Sequence, residues 1–207
     1  MPLYDRDYMQ ARGGSAWGGR GGAWSVTQIL IGLNIAVFLL QQFLPESDFL
    51  LALWPGAVLS GRVWQLLTYN FCHGGLMHLL FNMLFLWWFG RELESMYGGG
   101  RFLRFYLVSG IGAGLAFVAG AVFHGDPRPA VGASGCVMGL LVLYAFHYPR
   151  RQVLFYGIIP MEIRWLVGLY VLMDLSGYMG GSSGIANAAH LGGAEYGAAY
   201  ALWERRR

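Results

Sequence analysis

The stretch RPAVGASGCVMGLLVLYAFHYPRR, residues 128–151, decides how this chain is read. It is an apolar run closed by Pro149 and two arginines, and it opens on Ser134 between small residues. Taken as a helix from Ser134 to Tyr148, it rises roughly 21 Å at about 1.5 Å per residue. That is short for a hydrocarbon core of about 30 Å. If Arg150 and Arg151 hold its lower end at a charged interface, Ser134 lies roughly 9 Å beneath the opposite surface. The irregular segment PRPAVGA before it then has to dip into the apolar phase. Backbone tolerates that only where protein shields it or where it lines a wet cavity.

Composition supports a membrane setting. Of 207 residues, 56% are hydrophobic and 12% charged, and the mean hydropathy is +0.46. Soluble domains carry about 25% charged residues. Six apolar segments stand out, at about 26–44, 75–91, 101–124, 134–148, 162–180 and 186–203. The expected fold is an all-α membrane protein, a six-transmembrane-helix bundle with a short central fourth helix. The 45–74 connection contains FLLALWPGAVLSGRVWQLL, too apolar for a solvated loop. It is expected to lie as an interfacial hairpin with Trp54 and Trp64 at headgroup level. Residues 1–24 read as a flexible glycine-rich tail without the pattern of a cleavable signal, 25–204 as the membrane domain, and 205–207 as a basic end.

The net charge of +3 comes from arginine alone, because the chain has no lysine. A pI near 9.0 raises the possibility of nucleic-acid binding. The arginines, however, sit singly or in small groups at the ends of apolar runs, so topology explains them better and no nucleic-acid partner is expected. With the N-terminus cytoplasmic, twelve arginines fall inside and only Arg62 and Arg128 outside. This positive-inside bias places both termini in the cytoplasm. Cys72 and Cys136 offer neither a disulfide framework nor CxxC metal spacing, so both are read as small apolar fillers.

The same ruler applies to the other segments that carry polar residues. His190 to Trp203 spans roughly 20 Å, and His78 to Arg91 again roughly 20 Å. Three polar side chains on three helices therefore share one height, and intramembrane polar groups mark functional sites by default. Gly135 and Gly139 form a GxxxG on the fourth segment, and Gly193 and Gly197 form another on the His190 face of the sixth. Such faces let backbones approach closely. A serine and a histidine within hydrogen-bond reach make a nucleophile and its general base. At the head of the short helix, the Ser134 backbone amide would meet a developing oxyanion. His78 and Asn82, four residues apart on one face, would supply side-chain donors to the same charge.

The remaining polar residues have weaker claims. His73 is expected in water at the outer boundary, and His124 and His147 at interfaces. Asp174 lies in the outer half of the fifth segment, but depth alone does not put it beside His190. Glu195 follows His190 by about 140° of helical rotation and points away from the site.

These residues resemble those of the rhomboid intramembrane serine proteases. The resemblance runs through HGGLMHLLFN, GASG and NAAHLGGAEYG in order, with GRELE and MDLSG as further features, and covers nearly the whole chain beyond the tail. It implies peptide-bond hydrolysis within the membrane by a Ser134–His190 dyad, without cofactor or metal. His78 and Asn82 match the oxyanion-stabilising pair, and Gly132 and Gly135 the glycines of the nucleophile loop. The 45–74 hairpin matches the first interfacial loop, and the fifth segment is a candidate lateral gate. The implied partners are single-span membrane protein substrates and the surrounding lipid, in a bacterial inner membrane with the site open to the outer side. Three positions depart from the family pattern. Gln65 follows Trp64 where arginine is frequent, and Met138 stands where a tyrosine or phenylalanine commonly packs on the base. Glu195 replaces an apolar residue. Two rival readings carry other expectations: a catalytically weak or inactive rhomboid-like binder of membrane proteins, and a polytopic transporter or channel with the polar layer as its substrate site.

Overall fold

Helix α1 (Val26–Phe43) starts where its orphan N–H groups are met twice over. Ser25 and Gln28 form a reciprocal capping box, and the Glu94 carboxylate accepts from Val26 N at 2.7 Å, Thr27 N at 2.9 Å and Thr27 Oγ1 at 2.7 Å. A negative charge at a helix N-terminus also complements the helix dipole. The computed structural model describes residues 24–155, 158–180 and 185–206. Residues 1–23 of the tail, residues 156–157 and 181–184, and Arg207 of the basic end lie outside the described residues.

The 45–74 connection folds into short helices at Ser47–Leu51, Pro55–Leu59 and Gln65–Thr68 and a 3-10 turn at Tyr69–Phe71. Gln65 is its internal tie. Fully buried, it accepts from Trp54 N and donates to the carbonyls of Phe49 and Leu50, while Trp64 Nε1 donates to Leu50 O at 3.0 Å. An uncharged amide therefore closes the backbone of this apolar segment from within, at the position where the resemblance leads one to expect arginine.

Helix α2 runs over Leu76–Phe85, passes through a π turn at Leu86–Gly90 and resumes over Arg91–Tyr97. Helix α3 (Gly99–His124) ends at Gly125, whose φ of 66° gives the left-handed stop. Helix α4 (Ser134–His147) is central: every residue except Ser134 and Phe146 is buried. A helix that is apolar all round belongs in the middle of a bundle. Helix α5 (Ile163–Met179) buries only Ile163, Leu166 and Val167, and α6 (Ile185–Arg205) closes the bundle against α3 and α4. By length and composition α1 and α3 can each cross a membrane, and α4 is a shorter apolar helix. Large apolar side chains face outward, with Phe43 79%, Phe123 81% and Met179 78% exposed, which suits lipid rather than water.

The fold is mostly helical, consistent with the expected all-α membrane bundle, with one small addition: strands β1 (Gln152–Phe155) and β2 (Ile159–Glu162) pair antiparallel between α4 and α5. Two expectations are corrected. His73 is buried at 2% exposure: Gln41 Oε1 of α1 accepts its backbone N–H, and its ring packs edge-on against His78 with centroids 5.1 Å apart. His147 is buried too, with its Nε2 2.5 Å from Tyr97 Oη. Tyr97 in turn donates to Glu204 of α6, so a polar cluster joins α2, α4 and α6 near the end of the bundle opposite Ser134.

The glycine faces of α4 and α6 meet backbone to backbone. A methyl group on Gly193 would run into the Gly135 carbonyl, and one on Gly197 would lie 2.5 Å from Gly139 O. On the other side of α4, a methyl on Gly135 would lie 2.5 Å from Ala113 Cβ of α3. Four residues without side chains thus set the distance between the helices that carry Ser134 and His190.

Candidate active site

Ser134 is the first residue of α4, and the loop before it is held by backbone hydrogen bonds to the 45–74 connection. Leu53 N donates to Ala130 O at 2.9 Å, Ala130 N to Leu53 O at 3.0 Å, and Gly132 N to Tyr69 O at 2.9 Å. The backbone groups of Ala130 and the Gly132 N–H in PRPAVGA thus find protein partners, in keeping with depth in an apolar phase. Gly132 adopts φ +128°, and a methyl there would sit 2.6 Å from His78 Cε1 and 2.8 Å from His78 Nε2. Only glycine lets the chain take this conformation beside an imidazole.

Across the glycine interface, His190 Nε2 lies 2.9 Å from Ser134 Oγ. The opposite ring nitrogen, Nδ1, lies 2.9 Å from Asp174 Oδ1 on α5. A carboxylate only accepts hydrogen bonds, so Nδ1 carries the proton in this pairing and Nε2 presents a lone pair to the serine hydroxyl. The arrangement is chemically competent for proton removal from Ser134 as its oxygen attacks an electrophile. Burial is partial, with side-chain exposures of 29% for His190 and 13% for Asp174, so the group is open on one side.

The other sequence-predicted residues gather unevenly. The His78 ring abuts Gly132, two residues before Ser134. Asn82 is buried one turn below, and its Nδ2 donates to His78 O at 2.9 Å, which commits one amide hydrogen to its own helix. Gly135, Gly139, Gly193 and Gly197 lie in the α4–α6 contact. Met138 is buried in the main core cluster, which also contains Ala194 of α6. Glu195 is exposed on the far side of α6. Beside the loop that precedes the serine, a cavity of about 270 Å³ is lined by Phe117, Asp126, Arg128, Pro129, Ala130, Val131 and Ala186. At its rim Arg128 pairs with Asp126 and holds that carboxyl below the usual carboxylate range through the hydrogen bond. Asp174 is the site residue that sequence reasoning did not assign. Its signal was its cost, an intramembrane carboxylate without a named partner.

Comparison with known proteins shows the family. The profile of the rhomboid domain matches residues 60–207. The rhomboid protease GluP of Bacillus subtilis strain 168 is 32% identical over 173 residues, covering 81% of this chain and 32% of the relative. The rhomboid protease GlpG of Photorhabdus laumondii is 29% identical over 189 residues, 89% of this chain and 63% of the relative. That of Serratia proteamaculans is 30% identical over 192 residues, 90% of this chain and 65% of the relative. The chain thus spans about a third of the length of the GluP relative and a little under two thirds of the two GlpG relatives. The matched region includes the pinned loop, Ser134 and the glycine-packed helices, and on that match, which covers more than half of its residues, the chain belongs to the rhomboid family.

Proposed function

We propose that this chain is an intramembrane serine endopeptidase that hydrolyses peptide bonds in or near the transmembrane segments of membrane-protein substrates. The observation that carries the reading is the 2.9 Å contact between His190 Nε2 and Ser134 Oγ, made at the head of a short buried helix. The names of its relatives, rhomboid proteases, agree with it.

In this reading Ser134 Oγ attacks the scissile carbonyl carbon while His190 Nε2 takes the hydroxyl proton. The tetrahedral oxyanion is met by the Ser134 N–H, which has no intrahelical partner in the first turn of α4, and by His78, with Asn82 contributing from one turn below. The C–N bond breaks, His190 returns its proton to the leaving amine, and a Ser134 ester remains. Water, deprotonated by His190, then attacks the ester carbonyl; the Oγ–acyl bond breaks, His190 returns the proton to Ser134 Oγ, and the carboxylic acid product leaves.

The helices α1 to α6 are the six membrane spans of this proposal. Both termini are cytoplasmic by the arginine bias, in a bacterial inner membrane, and the site opens to the outer side, where the Arg128 cavity lies. Sparse burial of α5 suits a helix that substrates pass, and the 45–74 connection suits an interfacial element in contact with lipid.

The test is cleavage of a tagged single-span substrate panel by purified protein in detergent and in liposomes, beside Ser134→Ala and His190→Ala. A discrete cut near the outer membrane boundary is expected, reduced on the order of 10⁴-fold or more in both variants. Undiminished cleavage by Ser134→Ala defeats the mechanism. A folded wild type that binds but cuts none of the panel favours the inactive binder.

A further inference from the structure

We infer that Asp174 is a positioning residue for the base, which extends the Ser134–His190 pair to a line of three groups. The inference rests on the proposed hydrolytic function and adds a residue to it. Asp174 Oδ1 lies 2.9 Å from His190 Nδ1, and its side chain is only 13% exposed. A carboxylate at this depth is costly unless paired, and the partner it has is the ring whose other nitrogen faces Ser134.

Two consequences follow from the chemistry of the contact. First, the carboxylate selects the Nδ1–H tautomer and so keeps the Nε2 lone pair directed at Ser134 Oγ. Second, when the serine proton moves to Nε2 the ring becomes a cation, and a carboxylate in contact with Nδ1–H stabilises it where water is scarce. Among the described residues, the other titratable group facing the ring is the imidazole of His78 on α2, a group of the wrong sign for that task. Ser134 of α4 is the acceptor's partner and supplies no counter-charge.

A simple clamp between α5 and α6 is the competing role for the same bond. The two helices already meet closely less than one turn beyond Asp174: a methyl on Gly177 would collide with the Asn187 amide of α6. Their approach thus has a support that does not involve Asp174.

The experiment compares Asp174→Asn and Asp174→Glu with wild type, Ser134→Ala and His190→Ala, all full chain in proteoliposomes. It measures kcat, KM, the pH profile of kcat/KM and thermal unfolding. Asparagine keeps the shape but can donate to Nδ1 and hold the wrong tautomer. The expected result for Asp174→Asn is a kcat lower on the order of 10²- to 10⁴-fold at near-constant KM. Its acid limb moves to lower pH, because the imidazolium has lost its counter-charge. Asp174→Glu recovers part of kcat. Wild-type kcat and an unmoved acid limb in Asp174→Asn overturn the inference. So does a loss of kcat that tracks lower thermal stability while the acid limb stays in place, the signature of a clamp. Cleavage retained by Ser134→Ala or His190→Ala sinks the hydrolytic reading itself, whatever Asp174 does. Should Asp174→Asn fail to fold, ¹⁵N NMR of the wild-type imidazoles, with His190 assigned by its loss in His190→Ala, decides the matter. The Nδ1–H tautomer is expected, and a dominant Nε2–H tautomer overturns the inference.

Discussion

Gly197→Ala tests whether the glycine interface sets the catalytic distance. A methyl group there lies 2.5 Å from Gly139 O, 3.1 Å from its Cα and 3.2 Å from its carbonyl carbon. Ordinary contact begins near 3.4 Å, so α6 must withdraw from α4 by about 0.9 Å at this level. The obstacles are all backbone, and no rotamer change relieves them. Overpacking of this kind costs about 1–3 kcal/mol. Seven residues earlier on α6, roughly 10 Å along the axis, the same interface holds the 2.9 Å contact between His190 and Ser134. A rigid withdrawal stretches that contact beyond hydrogen-bond range, and misplacement of about 1 Å costs on the order of 10² in rate. The expected phenotype is a folded protein with kcat roughly 10- to 100-fold lower, KM near wild type and reduced thermal stability. Substrate cleavage in proteoliposomes and unfolding in detergent measure it. Gly168→Ala is the control, because a methyl there meets nothing within 4 Å. Wild-type kcat and stability in Gly197→Ala would refute the claim that bare backbones fix the helix spacing.

Gly132→Ala combines a φ of +128° with a methyl 2.6 Å from the His78 ring, so kcat is expected to fall more than stability, as read by cleavage kinetics beside a melting curve. Glu94→Gln weakens three hydrogen bonds at the start of α1 and is expected to cost about 1–3 kcal/mol, with kcat unchanged in the folded fraction. Gln65→Ala removes the partner of Trp54 N and of the Phe49 and Leu50 carbonyls inside the 45–74 connection. A loss of about 1–3 kcal/mol is expected, read by thermal unfolding and by faster proteolysis within 45–74.

The placement of Ser134 beside His190 was legible in the sequence because arginine-anchored helix ends convert residue number into depth. The GxxxG pairs then said which faces touch. Asp174 was not legible, since depth along α5 says nothing of its rotation toward α6. The register between those helices is a tertiary property. His73 and His147 were misjudged for a related reason: a histidine near a segment end reads as interfacial unless something folds over it. For His73 the neighbours are Gln41 of α1 and His78 of α2, and for His147 the partners Tyr97 and Glu204 come from 50 or more residues away. The β1–β2 hairpin escaped because its strands are four residues each and sit between apolar runs that mask the alternation. The π turn at Leu86–Gly90 lies within LFLWWFG, where helical periodicity shows no interruption.

The central claim is that Ser134 is a nucleophile activated by His190, and covalent labelling tests it most directly. Purified protein in detergent is treated with a fluorophosphonate, and the adduct is located by mass spectrometry, in wild type and in His190→Ala. The account predicts one adduct, on Ser134, formed far more slowly without His190. An adduct on another residue, or equal labelling of Ser134 in both proteins, contradicts it.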